Sequence, residues 1–349
     1  MDRCTGKRVF VGLSGGVDSA VTAALLKRAG AKVTGVFIKG WYPPGLPCTW
    51  ASDRRDAMRV AAKLQIPFRT LDASAAYKKS VIDYLIEEYR NGRTPNPDIM
   101  CNRDVKFGAF YEYLLKEGAD ALATGHYART HLDAAGKPHL FRGKDAAKDQ
   151  SYFLWAVAQD ALAKTLFPLG EFHKEDVRER ARSYGLPVAA KKDSQGICFL
   201  GPVSMDDFLR AEFGEAVGKA LDTQGKEIGK HDGALLYTLG ERIALTDAPG
   251  GPWYVVRKDI KKNEVVVAHE REAVSSKGIA LSSVNWLTHL TPGEQVTAQY
   301  RYHGPLVAGT LDTSSTTFLP DDVLPEPLAS GQSLVVYRGE ECLGGGIIS

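Results

Sequence analysis

The chain has 349 residues, of which 44% are hydrophobic and 25% charged, and a net charge of +2. This length supports two or three domains, each with a core, and no run reaches the ~18–20 apolar residues of a membrane span. Five scattered cysteines without a C-x-x-C pair argue against a disulfide scaffold and a structural zinc site. The opening MDRCTGKRVFVGL lacks a signal peptide's apolar stretch, so free thiols in the cytoplasm are expected.

Strand and helix patterns alternate through the first third of the chain. KRVFVGL reads as strand, SGG as turn and DSAVTAALLKRAG as helix, with Asp18 favouring the helix start and Gly30 its stop. AKVTGVFIK, DRRDAMRVAAKL and IPFRTLDA continue as strand, helix and strand. AYKKSVIDYLIEEYRNG and RDVKFGAFYEYLLKEG read as helices, and ADALATG as extended chain. Such β-α units predict a parallel sheet covered by helices, with ligands beyond the carboxyl ends of its strands.

Residues 149–200 read as helical, most clearly in KEDVRERARSYG. Beyond them ALLYTL, WYVVRKD, NEVVVAHE, EQVTAQYRY, PLVAGTLD and QSLVVYRG are short β-type runs separated by turn residues. The expected architecture is α/β: a parallel-sheet, adenine-nucleotide-hydrolase-like domain at 1–205, a small β-rich module at 206–275 and a C-terminal β-barrel at 276–349.

GLSGGVDSA (12–20) joins a strand to a helix. Adjacent glycines let successive N–H groups face an anion, Ser14 and Ser19 add hydroxyls, and the helix N-terminus adds partial positive charge. The P-loop lysine of GxxxxGK[ST] is absent, which argues against chemistry at a γ-phosphate. SGGVDS resembles instead the pyrophosphate loop of ATP-dependent adenylating enzymes. Gly125 and His126 end a later strand, where a histidine is either an ordinary residue or part of a site.

Two cysteines stand in polar loops. GRTPNPDIMCNRDVKFG (92–108) carries Asp98 and Cys101 after two prolines that stiffen the backbone around Asn96, and KKDSQGICFLG (191–201) carries Cys198. Arg93, Arg103 and Lys106 near one, and Lys191 and Lys192 near the other, are candidates to favour thiolate. A lone cysteine is commonly an inert thiol, and Cys48 and Cys342 read that way.

GLSGGVDS, GRTPNPDIMCN, DALATGHYAR, KDQSYFL, KKDSQGICF, WYVVRKD and CLGGGII, in this order, resemble the tRNA-specific 2-thiouridylases (tRNA uridine 2-sulfurtransferases) over nearly the whole chain. The resemblance implies ATP, with Mg²⁺, at Gly12, Leu13, Ser14, Gly15, Gly16, Val17, Asp18, Ser19, Ile38 and Gly125. It implies the target base at Asn96, Pro97 and Asp98, with Asp98 as general acid/base. It makes Cys198 the persulfide carrier and Cys101 the thiol that resolves it as a disulfide. His126, Lys148, Asp149, Gln150, Arg301, Tyr302 and Gln332 are implied tRNA contacts. Expected partners are tRNA and a persulfide sulfur-donor protein, with no membrane, for a monomer.

The chemistry fits these residues. A uracil carbonyl oxygen leaves poorly until adenylation turns it into AMP, and a persulfide is the strong nucleophile that then displaces it. Residues 205–349 hold 13 Lys/Arg against 20 Asp/Glu, leaving 31 against 22 in residues 1–204; a basic first half suits an RNA partner, or is merely an uneven surface. Tyr127, Tyr152, Phe153 and Tyr302 are candidates to stack on unpaired bases, or are core. Where the family commonly shows YT-x-GQRKGLGIGG, this chain has YTLGERIALTDAPGG (237–251), which removes a basic contact from the central module. Three other readings stay open: a different adenylating enzyme of the same superfamily, an RNA-binding protein without turnover, and an iron–sulfur cluster held by Asp98, Cys101 and Cys198.

Overall fold

The computed structural model describes residues 4–43, 49–193, 198–199, 203–248, 250–270, 278–324 and 326–349. Cys48 and positions 194–197 of the second cysteine motif lie outside them.

Strand β1 (Arg8–Gly12) sits at the centre of the first sheet, beside β2 (Lys32–Lys39) and β3 (Phe68–Asp72) on one side and β4 (Ala121–Ala123) on the other. The hairpin β5 (Ala128–Leu132) and β6 (Pro138–Arg142) then leaves this sheet, and β7 (Thr165–Leu166) returns to its edge. The order is β3-β2-β1-β4-β7, with every pairing parallel. Connections run one way from β1 to β3 and the other way to β4, so a switch point opens between the carboxyl ends of β1 and β4.

Alternation along β1 assigns its two faces. Val9 and Val11 meet α1 (Val17–Arg28), α2 (Trp50–Leu64) and, later in the chain, residues 174–183, through Val21, Val60, Val177 and Ala181. Phe10 points to the other face, with Val36 and Leu122. That face is covered by α3 (Ser74–Tyr77), which continues through Lys78–Asp83 into α4 (Tyr84–Arg90), and by α5 (Pro97–Met100), which continues through Cys101–Ala109 into α6 (Phe110–Lys116). Both intervening stretches have the wide π-helical turn, a geometry frequent at functional sites. The expected helices of this third of the chain are present. The 149–200 stretch is less helical than its pattern predicts: α7 (Gln159–Ala163) and α8 (Lys174–Ser183) flank β7 and extended chain.

After α9 (Met205–Phe213), the central module is one sheet of β8 (Gly218–Leu221), β9 (Glu227–His231), β10 (Arg242–Ile243), β11 (Trp253–Asp259) and β12 (Glu264–Ala268) around a small core of its own. Within ALLYTL, expected as a strand, Ala234–Leu236 forms a single 3-10 turn after Gly233, whose φ is +147°. A hydrophobic run this short is stable in either state, and the glycine decides.

The last domain is a closed six-stranded antiparallel barrel. Its strands are β13 (Ile279–Trp286), β14 (Gln295–Gln299), β15 (Val307–Asp312), β16 (Thr317–Pro320), β17 (Ser333–Arg338) and β18 (Glu341–Ile348). They run in the order β13-β16-β15-β14-β17-β18, and β18 pairs back to β13. Leu334 and Val336 of β17 fill the barrel, while Val335 and Tyr337 point outward into the helix-packed core of the first domain. The β5–β6 hairpin of the first domain extends the barrel sheet through β18, with Cys342 opposite Leu140 and Glu341 opposite Phe141.

Closure depends on one glycine. Gly344 has φ +124°, and a Cβ there would lie 2.1 Å from the Asn285 carbonyl oxygen. Gly344→Ala is expected to cost about 2–4 kcal/mol, read as a lower Tm with a separate early transition for the barrel.

Candidate active site

The loop after β1 is built to bind without side-chain bulk. Gly15 has φ +78°, and a Cβ there would lie 2.3 Å from the Asp53 carbonyl oxygen; one on Gly125 would lie 2.9 Å from the Ser19 amide nitrogen. The loops after β1 and β4 therefore touch at the switch point, with Gly12 behind them against Phe110. Ser19 Oγ accepts the Ser14 N–H at 3.2 Å and donates to the Gly16 carbonyl at 3.1 Å, while Ser14 Oγ accepts the Gly16 N–H at 3.3 Å. Leu13, Val17 and Ile38 are buried beneath.

Asp18 faces a charged network. Its carboxylate accepts from Lys174 Nζ at 2.7 and 2.8 Å and from the Tyr127 hydroxyl at 2.8 Å. Lys174 also meets Asp193 at 2.9 Å, and Arg178 and Lys148 meet that same carboxylate. These cations hold Asp193 below the usual carboxylate range against the opposing effect of burial. Lys174, absent from the sequence-derived candidates, is the buried cation of this loop; KEDVRERA reads only as an amphipathic helix.

The second half of the site lies on the helix-covered face. Asn96 caps α5 by accepting the Asp98 N–H at 3.2 Å, and Pro97 occupies its first position, where a missing N–H does no harm. Asp98 accepts the Cys198 N–H at 3.3 Å. The Tyr77 hydroxyl donates to the Cys198 carbonyl, and the Tyr77 ring meets Phe199 edge-on at 5.7 Å. Phe199 takes φ +66° and fits because Gly40 has no Cβ, which would lie 2.9 Å from it. The outcome is a Cys101 Sγ–Cys198 Sγ contact of 3.3 Å between residues 97 positions apart, two thiols in contact rather than the ~2.05 Å bond of a disulfide.

The two sulfurs differ electrostatically. Burial pushes the Cys101 thiol well above its ordinary value. Cys198 is lowered, first because it accepts the Cys101 S–H, then by the Lys106 ammonium, with burial opposing. Burial raises the Asp98 carboxyl, while Lys106 and the Cys198 N–H oppose it. Of the candidate cations, Arg93 pairs with Glu88 and Arg103 with Asp104. Lys191 lies 2.8 Å from Asp53 and 2.8 Å from Asp56. Lys192 is exposed.

Beside Asp98, Pro95, Asn96, Pro97, Phe153, Met205 and Tyr302 line an open cavity of ≈ 320 Å³. Tyr302 and Phe153 pack with ring centres 4.3 Å apart. Gln332 reaches over from the barrel and donates to the Thr94 carbonyl at 2.8 Å, and Arg301 pairs with Glu326 at 3.3 Å. Tyr127 and Tyr152, by contrast, are buried, the latter donating to the Ser333 carbonyl.

Other residues expected at an RNA face are wholly or partly buried. His126 is buried between Phe107 and Phe167 with Thr124 Oγ1 2.7 Å from Nδ1, and burial lowers it well below the ordinary histidine value. Asp149 is buried and accepts the Gly143 and Ser151 N–H groups. Gln150 accepts the Tyr127 N–H at 3.1 Å. Lys148 is half-exposed.

Asp98, Cys101 and Cys198 do converge, yet their geometry does not suit a cluster. The sulfurs touch one another, and among the described residues no group of three His, Cys, Asp or Glu could hold a metal ion. The set is a pair of touching sulfurs of unequal acidity.

The Gln-to-Glu departure in the central module also has a structural setting. Glu241 accepts the Thr238 N–H at 2.8 Å, and burial raises its carboxyl. Lys258 donates to the Tyr237 carbonyl at 2.9 Å, and burial lowers it to about 8 although Glu241 opposes this.

A glycine-rich loop at the switch point of a parallel sheet, with a thiol pair on the neighbouring helical layer, defines a nucleotide-using enzyme with cysteine chemistry. Three family models match the chain: a tRNA methyl transferase HUP domain at residues 7–202, a tRNA methyl transferase PRC-barrel domain at 206–269 and an aminomethyltransferase beta-barrel domain at 276–348. Proteins named tRNA-specific 2-thiouridylase MnmA are 42% identical in Lacticaseibacillus paracasei and in Pseudomonas syringae pv. syringae, covering 98% of this chain and 94% of theirs. The one from Salmonella arizonae is 43% identical over 98% of this chain and 96% of its own. The chain belongs to the tRNA-specific 2-thiouridylase family and is a sulfurtransferase enzyme. A solved U34-tRNA thiolase, NcsA from Methanococcus maripaludis, aligns over 60% of this chain and 67% of its own at 19% identity with a TM-score of 0.37, too low to bear on either fold or chemistry.

Two outcomes are expected. Gly15→Ala should weaken ATP binding about tenfold or more, a loss of roughly 1.4 kcal/mol, whereas Gly6→Ala, with φ +76° but open space around it, should leave affinity unchanged by calorimetry. Lys258 titrates lower folded than unfolded, so between about 8 and the ordinary lysine value near 10.4 the unfolded chain binds more protons and stability rises with pH. Thermal melts should show this gain in the wild type and a smaller one in Lys258→Met.

Proposed function

We propose that this enzyme converts the wobble uridine (position 34) of tRNA into 2-thiouridine, using ATP with Mg²⁺ and a cysteine persulfide. The observation that carries the reading is the 3.3 Å contact of Cys101 and Cys198 beside Asp98 and the cavity lined by Asn96 and Tyr302. The uridine 2-oxygen attacks the α-phosphorus of ATP held by residues 12–19, Ile38 and Gly125, and pyrophosphate leaves.

Cys198 receives sulfane sulfur from a donor protein's persulfide: a new S–S bond forms, the donor's S–S bond breaks, and the donor thiolate departs with the electron pair. The terminal sulfur gives its proton to Asp98 and attacks C2, expelling AMP. Cys101 then attacks Cys198 Sγ, the transferred sulfur leaves with the bonding pair, and a Cys101–Cys198 disulfide forms. The sulfane sulfur is reduced by two electrons and the two thiols are oxidised by two, so a cellular thiol reductant must reset the pair between turnovers.

That Tyr302 and Phe153 line the cavity supports stacking on an unstacked base, which suits an anticodon-loop nucleotide better than one in a duplex. In this reading Arg301, Gln332, Lys148 and Gln150 contact the tRNA, while the buried His126 and Asp149 serve the fold. The cytoplasm and a monomer are consistent with this reading.

Unmodified tRNA incubated with Mg-ATP and a persulfide should yield 2-thiouridine by nucleoside mass spectrometry with the wild type and none with Cys198→Ser or Cys101→Ser. If the wild type forms AMP and pyrophosphate but no thionucleoside, the substrate or the donor in this reading is wrong.

A further inference from the structure

The thiol pair needs an asymmetry. Two adjacent cysteines with equal acidity would accept sulfane sulfur on either atom, and a persulfide on Cys101 would be sealed in the core, since Cys101 is fully buried. Of the two, Cys198 is the half-buried one.

Lys106 supplies the asymmetry. The stretch Cys101–Ala109 is wound with the wide π turn, in which residue i bonds to i+5. Lys106 is therefore one turn on from Cys101 and lies over the same face. Its charge acts on Cys198, Cys101 and Asp98. Its Nζ also stands 5.9 Å from the centre of the Phe199 ring, next in the chain after Cys198. Burial alone would lower this ammonium, but the two sulfurs and Asp98 outweigh it, and the net direction is up. The other cations near either motif, the exposed Lys192 apart, are held by carboxylates: Arg93 by Glu88, Arg103 by Asp104, Lys191 by Asp53 and Asp56, and Lys148, Lys174 and Arg178 by Asp193.

We propose that Lys106 is an electrostatic positioning residue: its ammonium, on the π-wound stretch after Cys101 and beside the Phe199 ring, favours Cys198 as the thiolate that takes sulfane sulfur and leaves Cys101 as the waiting thiol. When the donor's S–S bond breaks, the charge on Cys198 passes to the departing donor thiolate. Lys106 then faces the new persulfide, whose terminal sulfur, once deprotonated by Asp98, is again an anion beside the same cation. The groups facing Cys198 are Asp98 from α5, Cys101 and Lys106 from the π-wound stretch, and Tyr77 from α3. His126 faces Lys106 from the loop after β4, and Tyr302 faces Asp98 from the barrel. Both are neutral at pH 7, so Lys106 is the cation of this set.

This role rests on the thiolation reading, but its test needs neither tRNA nor ATP. The full-length protein is alkylated with iodoacetamide across pH 5–10, and Cys101 and Cys198 are quantified separately by peptide mass spectrometry. In the wild type, Cys198 should react at lower pH than Cys101, with a midpoint below the ~8.5 of a free cysteine. Lys106→Met and Lys106→Gln should each move that midpoint up by about one unit or more, equivalent to about a tenfold loss of thiolate at pH 7, and Lys106→Arg should restore most of it. ATP binding to the loop at 12–19 reports on folding of the variants. An unmoved Cys198 midpoint in the neutral variants, or Cys101 ionising first in the unaltered protein, overturns the assignment. A shifted midpoint together with no 2-thiouridine in the nucleoside assay leaves Lys106 standing and removes the thiolation reading instead.

Discussion

Two sulfur atoms in contact, contributed by residues 97 positions apart, are the constraint around which the rest of this molecule is arranged. Neither cysteine is held by its own segment alone. Cys101 stands where a capped helix start runs into a π-wound stretch, and Cys198 is hung from Asp98 at its N–H and from Tyr77 at its carbonyl. Gly40 leaves the space that Phe199 requires. Each of these contacts is modest, about 1 kcal/mol for an ordinary hydrogen bond. Together they set a separation from which sulfur exchange needs little further movement.

Shared residues link the two halves of the site. Tyr127 donates to Asp18 in the nucleotide loop, while its backbone is paired with Gln150, which leads into the Tyr152 and Phe153 rings by the cavity. From the far side, β17 of the barrel buries residues on both of its faces, and Gln332 and Ser330 grip the backbone at Thr94. The barrel is thus part of the support for Asn96 and Asp98, and the loop that carries them is held by three parts of the chain.

Much of this was legible in the residues. The alternation of the first third predicts the parallel sheet, and the glycine-rich turn and the polar neighbours of Cys101 and Cys198 single out the loop and the two cysteines that the fold brings to one region. The β5–β6 hairpin was not, because ARTHLDAAGKPHLFR alternates weakly and its partner strand lies some 200 residues later. Nor was the partition of the cations. Arg103, Lys106 and Lys191 look equivalent as sequence neighbours of the thiols, but Arg103 and Lys191 are claimed by carboxylates, while the charge of Lys106 acts on the sulfur pair.

The sequence by itself determined which chemical groups exist and which local conformations are allowed: where φ must be positive, where a helix can start, which stretches hide one face. Those are properties of a few adjacent residues. Only the tertiary structure decided which groups meet. It buried His126 and Asp149, brought Gln332 onto Thr94, and set Lys106 beside Cys198. Burial and charge pairing act through distances in space, and folding sets those distances by packing whole elements against one another.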